Sequence, residues 1–149
     1  PEIYFGDTNY GPEIDIWSLG CIMGQFWTGY PLFQGRTDID HLRIITNLCG
    51  SIPENTYPVN KKLTYYHIYK DSLALLDGQS RKISGILRVI AKDEDAILLF
   101  DQCIKYNQAE RITAYNGLNH LFFTKTLPSP GKLLEKLLTL ESSNNFPLC

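Results

Sequence analysis

The stretch Asp15-Ile16-Trp17-Ser18-Leu19-Gly20-Cys21, continuing through Ile22, Met23, Gly24, Gln25 and Phe26 to Trp27, decides how the chain is read. Taken as a helix over residues 12–28, it carries apolar side chains on every face: Ile14, Ile16, Trp17, Leu19, Cys21, Ile22, Met23, Phe26 and Trp27 leave no solvent stripe. A helix of that kind is expected inside a core or a membrane. Asp15 near its start then needs hydrogen-bond donors, because an unpaired buried carboxylate is costly. The expectation is a buried central helix around which other elements pack.

A membrane span is a poor fit. Residues 16–35 carry no charge and are long enough to cross a bilayer, but they hold four glycines, Ser18, Gln25, Thr28, Gln34 and Pro31. Gly20-x-x-x-Gly24 reads better as a close-packing face in a protein core. At 149 residues the chain has the size of one domain, and 44% hydrophobic with 20% charged residues argues for a folded globular protein. A formal net charge of −2, with basic pairs only at Lys61-Lys62 and Arg81-Lys82, gives no phosphate track for a nucleic acid. Cys21, Cys49, Cys103 and Cys149 form no C-x-x-C pair, and His41, His67 and His120 are scattered, so zinc is not expected. Reduced cysteines on apolar patterns suit an intracellular compartment. The chain begins with Pro1 rather than Met and reads as a fragment.

Outward from the central stretch, Gly29-Tyr30-Pro31 closes the first helix. Thr37 caps a second, with Ile39, Leu42, Ile45 and Leu48 on one stripe and Gly50 at its end. Residues 51–71, with prolines, tyrosines and no sustained period, read as an irregular insert. A helix over 82–92 turns Ile83, Ile86, Leu87 and Ile90 inward, weakened at Gly85. Asp93 caps the next, to about residue 105, with Ile97, Phe100 and Ile104 on its inner face; a short helix follows over 113–119. A tail begins at Thr124, with a leucine-rich turn or two over 132–140. No strand pattern persists, so the fold class is all-α.

Several stretches, in order, resemble the protein kinase family. Pro1-Glu2 is similar to the end of the A-P-E motif. Asp15-x-Trp17-Ser18-x-Gly20 resembles the D-x-W-S-x-G opening of the lower lobe's central helix. Tyr30-Pro31-Leu32-Phe33-x-Gly35 resembles the P-L-F-x-G segment that follows it. Arg111 stands after Ala109-Glu110 where kinases have a late arginine, and Leu118-Asn119-His120-Leu121-Phe122-Phe123 resembles the end of the domain. Trp17-Ser18-Leu19-Gly20-Cys21-Ile22-Met23 and the long insert after Gly50 resemble the cyclin-dependent group. Leu48-Cys49-Gly50-Ser51-Ile52 and Gly78-Gln79-x-Arg81-Lys82 resemble its transcription-elongation branch.

The resemblance implies the lower (C-terminal) lobe of the kinase fold, with residues 1–123 a partial kinase domain from the end of A-P-E onward and 124–149 a tail. It implies structural roles for Glu2, Asp15, Trp17, Gly20 and Arg111. Glu2 and Arg111 would form a buried ion pair, a geometry that suits a planar guanidinium, and Asp15 would be partly exposed or cap its own helix. Two departures stand out: Asn107-Gln108 replaces the usual Asp-Pro ahead of the arginine, which puts the hold on that loop in doubt, and Gly117 replaces a usual alanine. The chain contains no Gly-rich loop, V-A-I-K lysine, H-R-D or D-F-G sequence, so no catalytic, cofactor-binding or metal-binding residue is assigned. As it stands it is expected neither to bind ATP nor to transfer phosphate. A longer parent would be a serine/threonine kinase using ATP and Mg²⁺, with a cyclin partner and proline-directed sites such as the RNA polymerase tail as substrate, in the nucleus, with no nucleic acid or membrane as direct partner. The competing reading is a non-catalytic lobe that serves as a docking module; a third is an unrelated all-helical scaffold.

Overall fold

The computed structural model describes residues 1–53, 56, 63–74 and 76–126. The leucine-rich stretch 132–140, Cys149 and Ser129-Pro130 lie outside them. Among the described residues there are helices and turns and no strand. The helices are α1 (Glu13–Thr28), α2 (Asp38–Cys49), α3 (Tyr66–Ala74), α4 (Ile83–Ala91), α5 (Glu94–Cys103), α6 (Ala114–Leu118) and α7 (Leu121–Thr126), with a 3₁₀ turn at Gln108–Glu110.

The ends form where the sequence places them. Thr37 accepts a hydrogen bond from Asp40 N–H, Asp93 from Ala96 N–H and Thr113 from Asn116 N–H, each satisfying an orphan donor of a first turn. Gly29, at φ +76°, takes the left-handed position that ends α1 and donates its N–H to Gln25 O.

α1 packs against α4 and α5, α2 against α3, and α7 against α5. The main core gathers Ile45, Cys49, Ile83, Leu87, Ile97, Phe100 and Ile104, with Trp17, Cys21, Met23 and Trp27 of α1 packed on it. A second cluster joins Phe5, Leu42, Leu63 and Leu73; Tyr4 touches both.

Gly20 shows why α1 needs a residue without a side chain. A Cβ there would stand 2.7 Å from Ile104 Cδ1, 2.8 Å from its Cγ1 and 3.0 Å from Cys103 Cβ. Ile104 is fully buried and has nowhere to swing. Gly20→Ala gains helix propensity yet is expected to destabilise by about 1–3 kcal/mol through overpacking, read as a lower urea midpoint.

The structure corrects four expectations. α1 is not buried all round: only Gly20 and Gly24 are fully enclosed, and Leu19, Ile22 and Phe26 form an exposed stripe, Phe26 being 81% accessible. These three recur at i, i+3 and i+7, so they share the side of the helix turned away from α4 and α5. Asp15 stands at the exposed start of α1, one of the two placements expected for it, so its carboxylate needs no buried donors. Within the expected irregular insert, α3 begins at Tyr66; its inward positions Tyr66, Tyr69 and Leu73 have helical spacing, carried by tyrosines rather than aliphatics. On α4, Ile83 and Leu87 are buried but Ile86 and Ile90 are half exposed, because nine residues present only one narrow face to α1 and α5. α7 also occupies residues where the sequence reading had placed the start of the tail.

Candidate functional site

Residues 1–7 fold into a tight set of turns. Tyr4 N–H donates to Pro1 O, Phe5 N–H and Asp7 N–H both donate to Glu2 O, and Gly6 N–H donates to Ile3 O. The segment is pinned by Phe5, which is fully buried and contacts the rings of Tyr66 and Tyr69. This fixes the Glu2 side chain inside the protein, 1% exposed.

Arg111 reaches it from the other end of the chain. It follows the 3₁₀ turn at Gln108–Glu110, where Asn107 accepts from Ala109 N–H at 3.1 Å and its amide donates to Glu110 at 3.0 Å. Gln108 Nε2 donates to the buried Asp7 carboxylate at 3.1 Å. Ile112 N–H donates to Gln102 O, tying the loop back onto α5. The Asn107-Gln108 departure is therefore accommodated: one side chain caps the turn, and the other bonds the segment that carries Glu2.

Arg111 is 4% exposed and all five of its N–H donors point at acceptors. Nη1 and Nη2 donate to Glu2 Oε1 and Oε2, each at 2.7 Å, in the parallel two-bond geometry. The remaining donors reach Glu13 O at 2.9 Å, Lys105 O at 2.9 Å and Tyr106 O at 3.4 Å. Trp17 covers the guanidinium, 5.2 Å from its ring centre, and stacks on Phe33 and Tyr106 in turn. One side chain thus joins residues 1–7, the start of α1 and the loop after α5.

Burial pushes the Glu2 carboxyl up, but the Arg111 hydrogen bonds, the Pro1 amino group 3.1 Å away and the remaining charges pull it down to about 2, from an ordinary value near 4.5. The folded state therefore binds this proton less readily than the unfolded chain. Its contribution is complete above about pH 4.5 and is lost as pH falls towards 2, an expected loss of about 3 kcal/mol by acid titration of the unfolding free energy.

The five residues singled out in the sequence do not form one constellation. Glu2, Trp17 and Arg111 are together; Gly20 lies one turn further along α1 against Ile104, and Asp15 is exposed near the helix start. Asp7 and Tyr106 were not singled out. Tyr106 O–H donates to Gly50 O at 2.7 Å, and burial pushes its phenol well above the ordinary tyrosine range. Only the Gln108 departure hinted at Asp7.

This arrangement is a clamp. Both carboxylate oxygens and every guanidinium N–H are engaged within the protein. Burial raises the thiols of Cys21 and Cys103 to about 11 and that of Cys49 to about 12, so none of the three is a thiolate at neutral pH. Among the described residues no group of three or more His, Cys, Asp or Glu side chains could hold a metal ion, and no helix is long and apolar enough to cross a membrane. An open cleft of about 740 Å³ runs between α5, the loop after Arg111 and α7, bordered by Leu98, Gln102, Ile112, His120 and Leu121.

Comparison with known proteins places this architecture. Residues 1–123 match the protein kinase domain family. The chain is 40% identical over 144 residues to cyclin-dependent kinase 9 of Danio rerio, covering 96% of this chain and 37% of that protein. It is 38% identical over 139 residues to cyclin-dependent kinase 9 of Homo sapiens, covering 93% and 36%. It spans little more than a third of the length of these relatives. Its fold superposes on a MAP kinase of Leishmania major, LMAMPK10, with a TM-score of 0.75 at 21% identity, over 86% of this chain and 40% of that one. A match over residues 1–123, on a helical framework that superposes on a solved kinase, shows that the chain belongs to the protein kinase domain family.

Proposed function

We propose that this chain is the lower-lobe portion of a cyclin-dependent-type serine/threonine protein kinase, with residues 1–123 as the kinase part and 124–149 as a tail. The observation that carries the reading is the likeness to cyclin-dependent kinase 9 along 96% of the chain. The Glu2–Arg111 clamp supports it, because it holds the segment after an A-P-E-like start against the helices of the lobe. Glu2, Asp15, Trp17, Gly20 and Arg111 act here as structural residues.

The exposed stripe of Leu19, Ile22 and Phe26 supports the same reading. The superposition leaves 60% of the MAP kinase chain unaccounted for, and an apolar face on the central helix suits cover by such a portion. No described residue is assigned to ATP or Mg²⁺, and the buried Arg111 has every donor engaged, with none left for a phosphate. Nucleotide and metal belong to a longer parent, and no catalytic step is assigned to residues of this chain. The parent would phosphorylate proline-directed serine and threonine sites of transcription elongation, in the nucleus, with a cyclin partner. This matches the resemblance to the kinase subunit of the positive transcription elongation factor.

The test is the coding sequence upstream of Pro1 and an assay of the protein it encodes. Intact H-R-D and D-F-G segments, with cyclin-dependent phosphorylation of a Ser-Pro peptide, are expected. A start codon directly before Pro1, together with a thermal shift of this chain by ATP and Mg²⁺, would overturn both the parentage and the absence of nucleotide binding.

A further inference from the structure

α4 buries Ile83 and Leu87, but its other side stays in water. Ile86 and Ile90 are each 47% exposed and Val89 is 75% exposed. Positions 86, 89 and 90 are neighbours on a helix surface, so the three make one continuous apolar strip. Gly85 lies one turn before Val89 on the same side. A glycine inside a helix costs stability, yet a Cβ at Gly85 would meet nothing within 4 Å. At Gly20 a Cβ would strike Ile104, so the fold there needs the glycine; at Gly85 packing among the described residues does not. What a bare helix position offers is room for another backbone to come close.

Charge decides what fits this face. Residues 81–92 contain four basic residues and no acid. Arg81 is paired with Asp101 and Arg88 with Glu94. Lys82 Nζ donates only to the neutral amide of Asn47, and Lys92 has no ion pair among the described residues. Lys82 stands one turn before Ile86 and Lys92 three residues after Val89, so the apolar strip has an uncompensated cation at each end, about 15 Å apart along the axis. A second copy meeting this face through a two-fold axis would set lysine against lysine. An anionic membrane suits it less: the strip holds no aromatic anchor, and the first turn of α5, which follows at once, carries Glu94 and Asp95. Carboxylates on an apolar helix of a partner answer both features, the strip and its charged ends.

We propose that this face of α4 binds an acidic amphipathic helix of another protein, its aliphatic side chains on Ile86, Val89 and Ile90, its backbone over Gly85, and its carboxylates on Lys82 and Lys92. The test titrates the full 149-residue chain into a fluorescent peptide, read by anisotropy. The peptide has about 15 residues, alanine-based, with leucines at helical spacing and glutamates flanking them. It is expected to bind at least about tenfold more tightly than the same peptide with lysines for the glutamates, a gap that closes as salt rises. Lys92→Glu is expected to shift the preference towards the lysine peptide, a result that loss of folding cannot produce. Gly85→Gln is expected to melt no lower than the unmodified chain but to bind the glutamate peptide at least about tenfold more weakly. Val89→Glu is expected to abolish binding. No binding of the glutamate peptide, equal binding of both peptides, or binding untouched by Gly85→Gln and Val89→Glu would overturn the proposal. So would Val89-dependent binding to phosphatidylserine vesicles with none to the peptide, which would make the face a membrane contact, or Val89-dependent self-association, which would mean a second copy.

Discussion

Arg111→Ala is expected to lower the unfolding free energy by about 3–5 kcal/mol, measured by urea denaturation at neutral pH. The size follows from what is left behind. Glu2 would remain 1% exposed and ionised, with both strong donors gone, and the carbonyls of Glu13, Lys105 and Tyr106 would each lose a partner. Most of the loss is the cost of an uncompensated buried charge rather than the worth of the pair. The double variant Glu2→Leu with Arg111→Met should therefore be more stable than Arg111→Ala alone, since apolar residues of similar volume can replace a buried pair at little net cost. Arg111→Lys should rescue only part of the loss, because an ammonium cannot donate the two parallel bonds or lie flat over Trp17. A loss below about 1 kcal/mol for Arg111→Ala would show that the clamp opens readily in solution.

Phe100→Ala is expected to cost a further independent 3–5 kcal/mol, roughly the range for emptying an aromatic site in a packed core. Phe100 is fully buried, meets Trp27 of α1 edge-on at 5.8 Å, and sits in the cluster that joins α1, α2, α4 and α5. Phe26 of α1, only one residue before Trp27, is the control. It is 81% exposed, and Phe26→Ser is expected to change stability by no more than about 0.5 kcal/mol in this chain. Calorimetry or urea melts of the two variants would separate these cases. Equal losses would mean that the outer face of α1 is covered and that the exposed stripe does not exist in solution.

The contrast between Phe100 and Phe26 shows how far the sequence could be read. Caps were legible because a Thr or Asp side chain meets an N–H only three residues away: Thr37, Asp93 and Thr113 do what their positions suggest. The inner faces of α2 and α5 were legible because each helix turns one apolar stripe inward, as at Leu42 and Ile45, or Ile97 and Phe100. α3 was missed because its stripe is built from Tyr66 and Tyr69, residues that read equally well as loop or strand. For α1 and α4 the pattern overstated burial. Periodicity reports which side chains could be buried, not whether a neighbour exists to bury them, and nothing among the described residues lies over Phe26 or Val89.

Local chemistry along the chain thus determined α1, α2, α4, α5 and α6, most of their ends, the all-α class and, through ordered motifs, the family, but not α3 or α7. The Glu2–Arg111 pair, 109 positions apart, was expected only through the resemblance; the tertiary structure alone decided that Arg111 also binds the carbonyls of Glu13, Lys105 and Tyr106, that Gln108 bonds Asp7, and which apolar faces stay in contact with water. The physical reason is range. Capping and periodicity act over three or four residues, whereas an ion pair between distant residues and the cover of a helix face depend on how whole elements are brought together.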